Sequence, residues 1–342
     1  MLSYNREKYT PEAIGSVLNQ SFRDFELIIV DDGSRDNSKR IIADYQAKDE
    51  RIVAIFHRKN CGIAKAFNDG VSRAQGKFLA LMDSDDVWVS SKLEKQLAIL
   101  KQNEDLIVWS EGEIIDRHSK PIGVTYTQWV NSSGRKKSGD ILEELLRGNF
   151  IFLSSIVFNA ENVTNFKFDE HIKYVNDNLL VVDLARNHEF FFIEDPLAKY
   201  RLHGENIGLM DQSQWTKEEI IMDRYFLGKY DQNISRTTKA YLLFSTGLAY
   251  SRLGENAVAR KYVLRAINVN ICRDSLPRMG AYLGILAAEG SFIAKFLREL
   301  YLAVDPLLKQ IGNRLAQVPL FSSEWRTRAK AHRLLLDKVV GK

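Results

Sequence analysis

"FLALMDSDDVW", residues 78–88, is the stretch whose reading decides the fold. Its mostly apolar first half reads as a strand buried inside a sheet, and the strand stops at Asp83, Asp85 and Asp86. Carboxylates this close repel one another, and each loses hydration where the strand leaves the core. The arrangement costs free energy unless a cation or hydrogen-bond donors compensate.

The same construction recurs on the N-terminal side. "FELIIV" (25–30) is a second near-continuous apolar run, ending at Asp31 and Asp32, and "DDGSRDNSKRIIADY" (31–45) turns from it into a helix. "TPEAIGSVLNQ" (10–20) has a capping residue, a proline at the first helical position and apolar residues at helical spacing. "RIVAIFH" (51–57) reads as a strand and "GIAKAFNDGVSRA" (62–74) as a helix. Strands alternating with helices predict an α/β, doubly wound sheet, whose ligands sit beyond the carboxyl ends of the strands, where Asp31, Asp32, Asp83 and Asp85 all fall.

Toward the C-terminus the pattern loosens. "LIVWSEGEIID" (106–116) is followed by the polar "NSSGRKKSGD" (131–140), the helical "ILEELLRG" (141–148), "FLSSIVFNAENV" (152–163), a helix through "NDNLLVVDLARN" (176–187) and a strand "FFFIED" (190–195). From about Gln214 strand signals vanish, which predicts a sheet domain over 1–210 and an all-helical region over 211–342. Leu243, Gly247, Tyr250, Gly254, Ala259 and Ala266 have the spacing of one tetratricopeptide-like hairpin, with a fainter second candidate around Ala281–Leu286. The terminal "WRTRAKAHRLLLDKVV" (325–340) is a basic amphipathic helix, either solvated or in peripheral contact with an anionic membrane surface or a partner protein.

Composition narrows the classes of function. With 342 residues, Lys+Arg 48 against Asp+Glu 44 leaves a net charge of +4, too mild over this length to argue for nucleic acid as a partner. Cys61 and Cys272 have no metal-type spacing and read as free thiols in a reducing compartment, so a cytoplasmic location is expected. No apolar run approaches the roughly 18 residues of a membrane span, and no signal peptide is recognisable.

Five stretches taken in order carry a resemblance: "SYNREKY" (3–9), "VLNQSFRDFELIIVDDGSRDNS" (17–38), "NCGIAKAFNDGVSRAQGKFLALMDSDD" (60–86), "DEHIKYVNDNLL" (169–180) and "DPLAKYRLHGENI" (195–207). Together they resemble the family-2 glycosyltransferases of GT-A fold. The resemblance implies an inverting, metal-dependent enzyme that moves a sugar from a nucleotide-diphosphate donor, UDP-linked, to a hydroxyl of a glycan or lipid-linked glycan, as in cell-surface polysaccharide synthesis. It implies Mg²⁺ or Mn²⁺ on Asp85, with Asp83 facing the ribose and His203 ligating the metal or donating to the leaving phosphate. Asp32 would accept from the base, Tyr4 would pack on it, and Lys65 would approach base or diphosphate. Asp177 would be the base that takes the acceptor's proton, as inversion requires of a carboxylate opposite the nucleotide.

Each residue also has a plain structural reading. The acidic cluster, Asp32 and Asp177 stand where they could cap or charge helix N-termini, Tyr4 could be a core tyrosine, Lys65 a solvated lysine, His203 structural and Arg201 a surface ion pair. There are departures as well. Asn176 stands where the family carries glutamate, Val181 and Asp183 where it carries an aromatic residue and arginine, and only three residues precede Tyr4 where a five-residue strand is usual, so that strand is missing or truncated. A catalytically idle nucleotide-binding or scaffold protein is therefore the alternative. A nucleotidyltransferase is a third reading, but no glycine- and lysine-rich phosphate loop follows the first strand.

Overall fold

The computed structural model describes residues 1–163, 166–206 and 212–269, which fall in two compact units divided between Ile207 and Gly208. Ala281–Leu286, the basic helix expected at 325–340 and Cys272 lie outside the described residues.

In the first unit, β1 (Leu2–Ser3), α1 (Thr10–Leu18), β2 (Leu27–Asp31), α2 (Ser38–Gln46), β3 (Ile52–Phe56), α3 (Ile63–Arg73) and β4 (Phe78–Ala80) follow in strict alternation. Then come β5 (Val87–Trp88), α4 (Lys92–Leu100), β6 (Ile107–Ile115), β7 (Pro121–Thr125), α5 (Tyr126–Trp129), α6 (Leu142–Leu146), β8 (Val157–Asn159), α7 (Asn176–Asn187) and β9 (Phe190–Arg201). The second unit contains α8 (Gln212–Tyr230), α9 (Arg236–Arg252) and α10 (Asn256–Val269).

β1, β2 and β3 are parallel, in the order β1-β2-β3. A first strand is present, two residues long, and it holds a central place. Leu2 bridges Asp83 in parallel sense, with Leu2 N–H donating to Met82 O at 3.1 Å and Ser84 N–H to Leu2 O at 3.0 Å. This joins the parallel half to a mixed half of order β4-β8-β6-β9-β5, with β7 on β6. The α-amino group of Met1 continues the same pairing by donating to Ile28 O at 2.8 Å.

The core lies where helices cover the sheet: Ala13, Ile14 and Val17 of α1, and Leu93, Leu97 and Leu100 of α4, pack with Leu27, Ile29, Val108 and Val157 of the strands. Burying each large aliphatic side chain stabilises the fold by about 1.5–3 kcal/mol. Thr10 does not cap α1. It lies inside the helix, and its hydroxyl donates to Arg6 O at 2.8 Å.

Two strands differ from the sequence reading. β7 falls in a stretch without an apolar run, and β9 continues six residues past "FFFIED" to Arg201. Pro196 lies within β9, and the strand tolerates it because the pairing with β6 shifts register around Ser110, Glu111 and Gly112. In the second unit, α9 and α10 pack through Leu243, Phe244, Ala259, Val263 and Ala266. A Cβ on Gly247 would come within 2.9 Å of Val263 Cγ2, so glycine lets the two helices approach.

Candidate active site

The loops after β2, β1 and β4 leave the sheet side by side, because Ser3 is in register with Asp31 and Leu2 bridges Asp83. Asp31 holds its own turn: Oδ1 accepts from Ser34 N–H at 3.1 Å and Oδ2 from the Ser34 hydroxyl at 2.5 Å. That hydroxyl also accepts from Asn5 N–H at 2.9 Å, which docks the loop after β1 on the loop after β2. Gly33 has φ +71°, and a Cβ there would sit 2.4 Å from the Lys59 carbonyl carbon. The 59–62 loop therefore closes directly over the turn.

Asp32, 4% exposed, is held by that loop. Its Oδ1 accepts from Cys61 N–H at 2.8 Å and lies 2.7 Å from His57 Nδ1, while Oδ2 accepts from Gly62 N–H at 2.8 Å. Carboxylate oxygens offer about four acceptor positions in all, so these bonds leave capacity on Oδ2. Tyr4 is 38% exposed at the same rim, not a core tyrosine. Lys65, on the first turn of α3, pairs with Asp69 one turn on.

Asp83, Asp85 and Asp86 each bring an oxygen within 4.8 Å of the others. They do not cap α4, whose N-cap is Ser91. Burial and the charge of Asp85 push Asp83 up to about 7, with Asp177 adding to the rise. Burial likewise drives Asp86 well above the usual carboxylate range, helped by Asp85 and Asp83. Burial acts on Asp85 in the same direction, but the His203 hydrogen bond and the Arg6 guanidinium outweigh it and hold Asp85 low. Its Oδ2 accepts from Arg6 Nε at 3.0 Å and faces His203 Nε2 at 2.9 Å.

His203 Nδ1 accepts from Glu205 N–H at 3.2 Å, so Nε2 carries the proton and donates to Asp85. Ligation through Nε2 would move that proton to Nδ1 and give up the Glu205 amide. Arg201 is 1% exposed. Its guanidinium donates to Asp85 O at 2.7 Å, to Ser119 Oγ at 2.8 Å and to Glu12 Oε2 at 2.6 Å. In place of the suggested surface ion pair stands a buried brace.

Asp177 opens α7, and its Oδ1 accepts from Asn178 N–H at 2.9 Å. Burial pushes it up to about 6. It is close enough for its charge to raise both Asp83 and the buried Tyr126, so it lies near the acidic cluster. Asn176 points the other way. It is 3% exposed, accepts from Asp169 N–H at 3.0 Å and donates to Ile172 O at 2.7 Å. A primary amide both accepts and donates there, which a glutamate carboxylate could not do.

Three residues of the site escaped sequence reasoning. Arg6 lay inside a quoted motif with no role assigned. Ser154 donates to Asp86 Oδ2 at 2.6 Å and accepts from Asp83 N–H at 3.1 Å; its signal was a pair of hydroxyls in an apolar run. His57, one residue past β3, bridges Asp32 and Asp69. The rule that singled out carboxylates at strand ends would have found it.

A parallel half joined to a mixed half, with carboxylates gathered at the strand ends, defines the nucleotide-diphospho-sugar transferase class of α/β fold, GT-A. Residues 1–156 match the sequence model of Glycosyl transferase family 2. An uncharacterised glycosyltransferase of Rickettsia prowazekii is 30% identical over 240 residues, covering 64% of this chain and 72% of that one. One from Nostoc is 32% identical over 224 residues, covering 64% and 68%. A Rickettsia bellii relative is 30% identical over 66% of this chain, but the match spans only 31% of that longer protein. Staphylococcus aureus TarS residues 1–349, solved with UDP-GlcNAc, superposes with TM-score 0.56 at 16% identity, over 83% of this chain and 79% of that one. The mannosyltransferase PcManGT of Pyrobaculum calidifontis, solved with GDP-Man and Mn²⁺, gives 0.52 at 12% identity, over 92% and 86%. At these identities the likeness is one of fold. The chain belongs to glycosyltransferase family 2.

Proposed function

We propose that this protein transfers a sugar, with inversion, from a nucleotide-diphosphate donor to a hydroxyl of a glycan or lipid-linked glycan in cell-surface polysaccharide synthesis. The observation that carries the reading is the cluster of Asp83, Asp85 and Asp86 at a strand end, with Asp177 near enough to raise Asp83 and itself raised by burial. UDP is the favoured nucleotide, in keeping with the UDP-GlcNAc bound by TarS; the GDP-Man bound by PcManGT makes GDP-sugars the comparison to run.

The acidic cluster fits a hard divalent cation, because the burial and mutual repulsion that raise Asp83 and Asp86 are what a bound cation would relieve. Asp85 would hold Mg²⁺ or Mn²⁺, with Asp83 beside it. Bound there, the ion would offset the charge that builds on the diphosphate as the glycosidic bond breaks. Asp32 uses its remaining acceptor position for the base, Tyr4 covers the base, and Lys65 stands near the phosphates. His203 and Arg6 hold Asp85 in place, and His203 exchanges its donor bond for metal or phosphate when the donor binds. Asp177, at the far wall, takes the acceptor's proton as the hydroxyl attacks.

Among the described residues no helix is long and apolar enough to cross a membrane, and we place the enzyme in the cytoplasm, where a lipid-linked acceptor is met at the membrane surface. The helical region from 211 onward is assigned to that peripheral contact or to a partner protein. A screen of UDP- and GDP-sugars for release of nucleotide diphosphate, with and without Mn²⁺, tests the reading. Metal-dependent release abolished by Asp177→Asn supports it. Nucleotide binding without turnover on any donor favours the idle scaffold.

A further inference from the structure

A second cluster of ligand-type side chains lies at the other side of the rim. One atom each from Asp32, His57 and Cys61 falls within 4.8 Å of the others. We propose that these three residues form a binding site for a thiophilic divalent cation of the Zn²⁺ class. A carboxylate, an imidazole and a thiol suit Zn²⁺ and exclude preference for Mg²⁺, which takes oxygen ligands.

The surroundings are those of a ligand set already oriented. His57 follows β3 with its backbone N–H donating to Asp31 O at 2.9 Å. Its Nδ1 faces Asp32, while Nε2 lies 3.0 Å from Asp69 Oδ2. A carboxylate on the far ring nitrogen is what fixes the tautomer and direction of a metal-bound histidine. Asp69 supplies it from α3 and is itself tied to Lys65. Asp32 is aimed by the amides of Cys61 and Gly62, and the Cys61 thiol is exposed, touching only Lys59 O at 3.3 Å among the contacts found.

Binding takes the place of the hydrogen bond between His57 Nδ1 and Asp32, and the proton of that bond and the Cys61 thiol proton go to solvent. Nε2 keeps its proton and donates it to Asp69, and a fourth position remains open to water. On the reading of Asp32 given above, which this clause rests on, the bound cation would exclude the nucleotide base, making the site inhibitory.

Co²⁺ titration of the full chain, followed through the thiolate-to-cobalt charge-transfer band and its displacement by Zn²⁺, tests the site. The band is expected in the natural sequence, in Cys272→Ser and in Asp85→Ala, lost in Cys61→Ser and weakened in His57→Gln. Asp69→Asn should lower Zn²⁺ affinity about tenfold. No band in the natural sequence, a band that survives Cys61→Ser, or indifference to His57→Gln overturns the proposal. UDP binding measured with and without Zn²⁺ separates the two readings: a band formed with UDP affinity unchanged keeps the cation site and removes Asp32 from base recognition.

Discussion

Asp177 shows how a single side chain is tuned by its place. Burial pushes it up to about 6 from an ordinary 3.8, so the carboxylate a base needs is fully formed only above that pH. Sugar transfer is therefore expected to fall on the acid side with a midpoint near pH 6, read from a pH–rate profile of kcat/KM, which reports the free enzyme. Asp177→Asn should lower kcat by about 10²–10⁴ with donor affinity retained. The stability effect has the opposite sense. The unfolded chain loses this proton first, so the stabilisation present below pH 3.8 is lost as pH rises through about 6. Denaturation of Asp177→Asn should match the natural protein at pH 3.5 and exceed it at pH 7.5 by about 3 kcal/mol.

At the scale of elements, short loops and one long strand position the site. Gly33 combines a left-handed φ with contact against the Lys59 backbone, so Gly33→Ala is expected to destabilise by about 1–3 kcal/mol, measured by denaturant unfolding, and to displace the 59–62 loop from Asp32. Arg201 ends β9 and braces the acidic loop against α1 and the β6–β7 turn. Arg201→Met should cost about 2–4 kcal/mol, and Arg201→Lys should recover little of it, because one ammonium cannot span partners that a planar fork reaches.

How much of this was legible follows from what each element is made of. α1, β2, β3, α3, α7 and the stretch around β4 announce themselves by apolar period and by what ends them. β5 and β7 do not: two residues leave no period to read, and in "PIGVT" a proline and a glycine break up the apolar residues. The extension of β9 hid behind Pro196, tolerated because β9 itself bulges against β6 there. The aspartates could be found because carboxylates at the ends of buried strands are conspicuous. Arg6 could not be, and Ser154 and His57 could be flagged only by position, because their roles arise from pairings over 79, 68 and 25 residues of chain, which local pattern does not encode.

For the whole molecule, one consequence of topology matters most. Although β1 is only two residues long, it brings β2 and β4 to either side of itself, so Asp32 and the Asp83–Asp86 cluster leave the sheet at one rim while α7 delivers Asp177 to the cleft beside it. The account's central claim is that Asp85 and a nucleotide diphosphate share a divalent ion there. The most direct measurement is the electron paramagnetic resonance signal of free Mn²⁺ titrated with protein, with and without UDP. The account predicts that UDP deepens depletion of free Mn²⁺ with the natural sequence and has no such effect with Asp85→Ala. Equal depletion by both proteins, or none with the natural sequence, would contradict it.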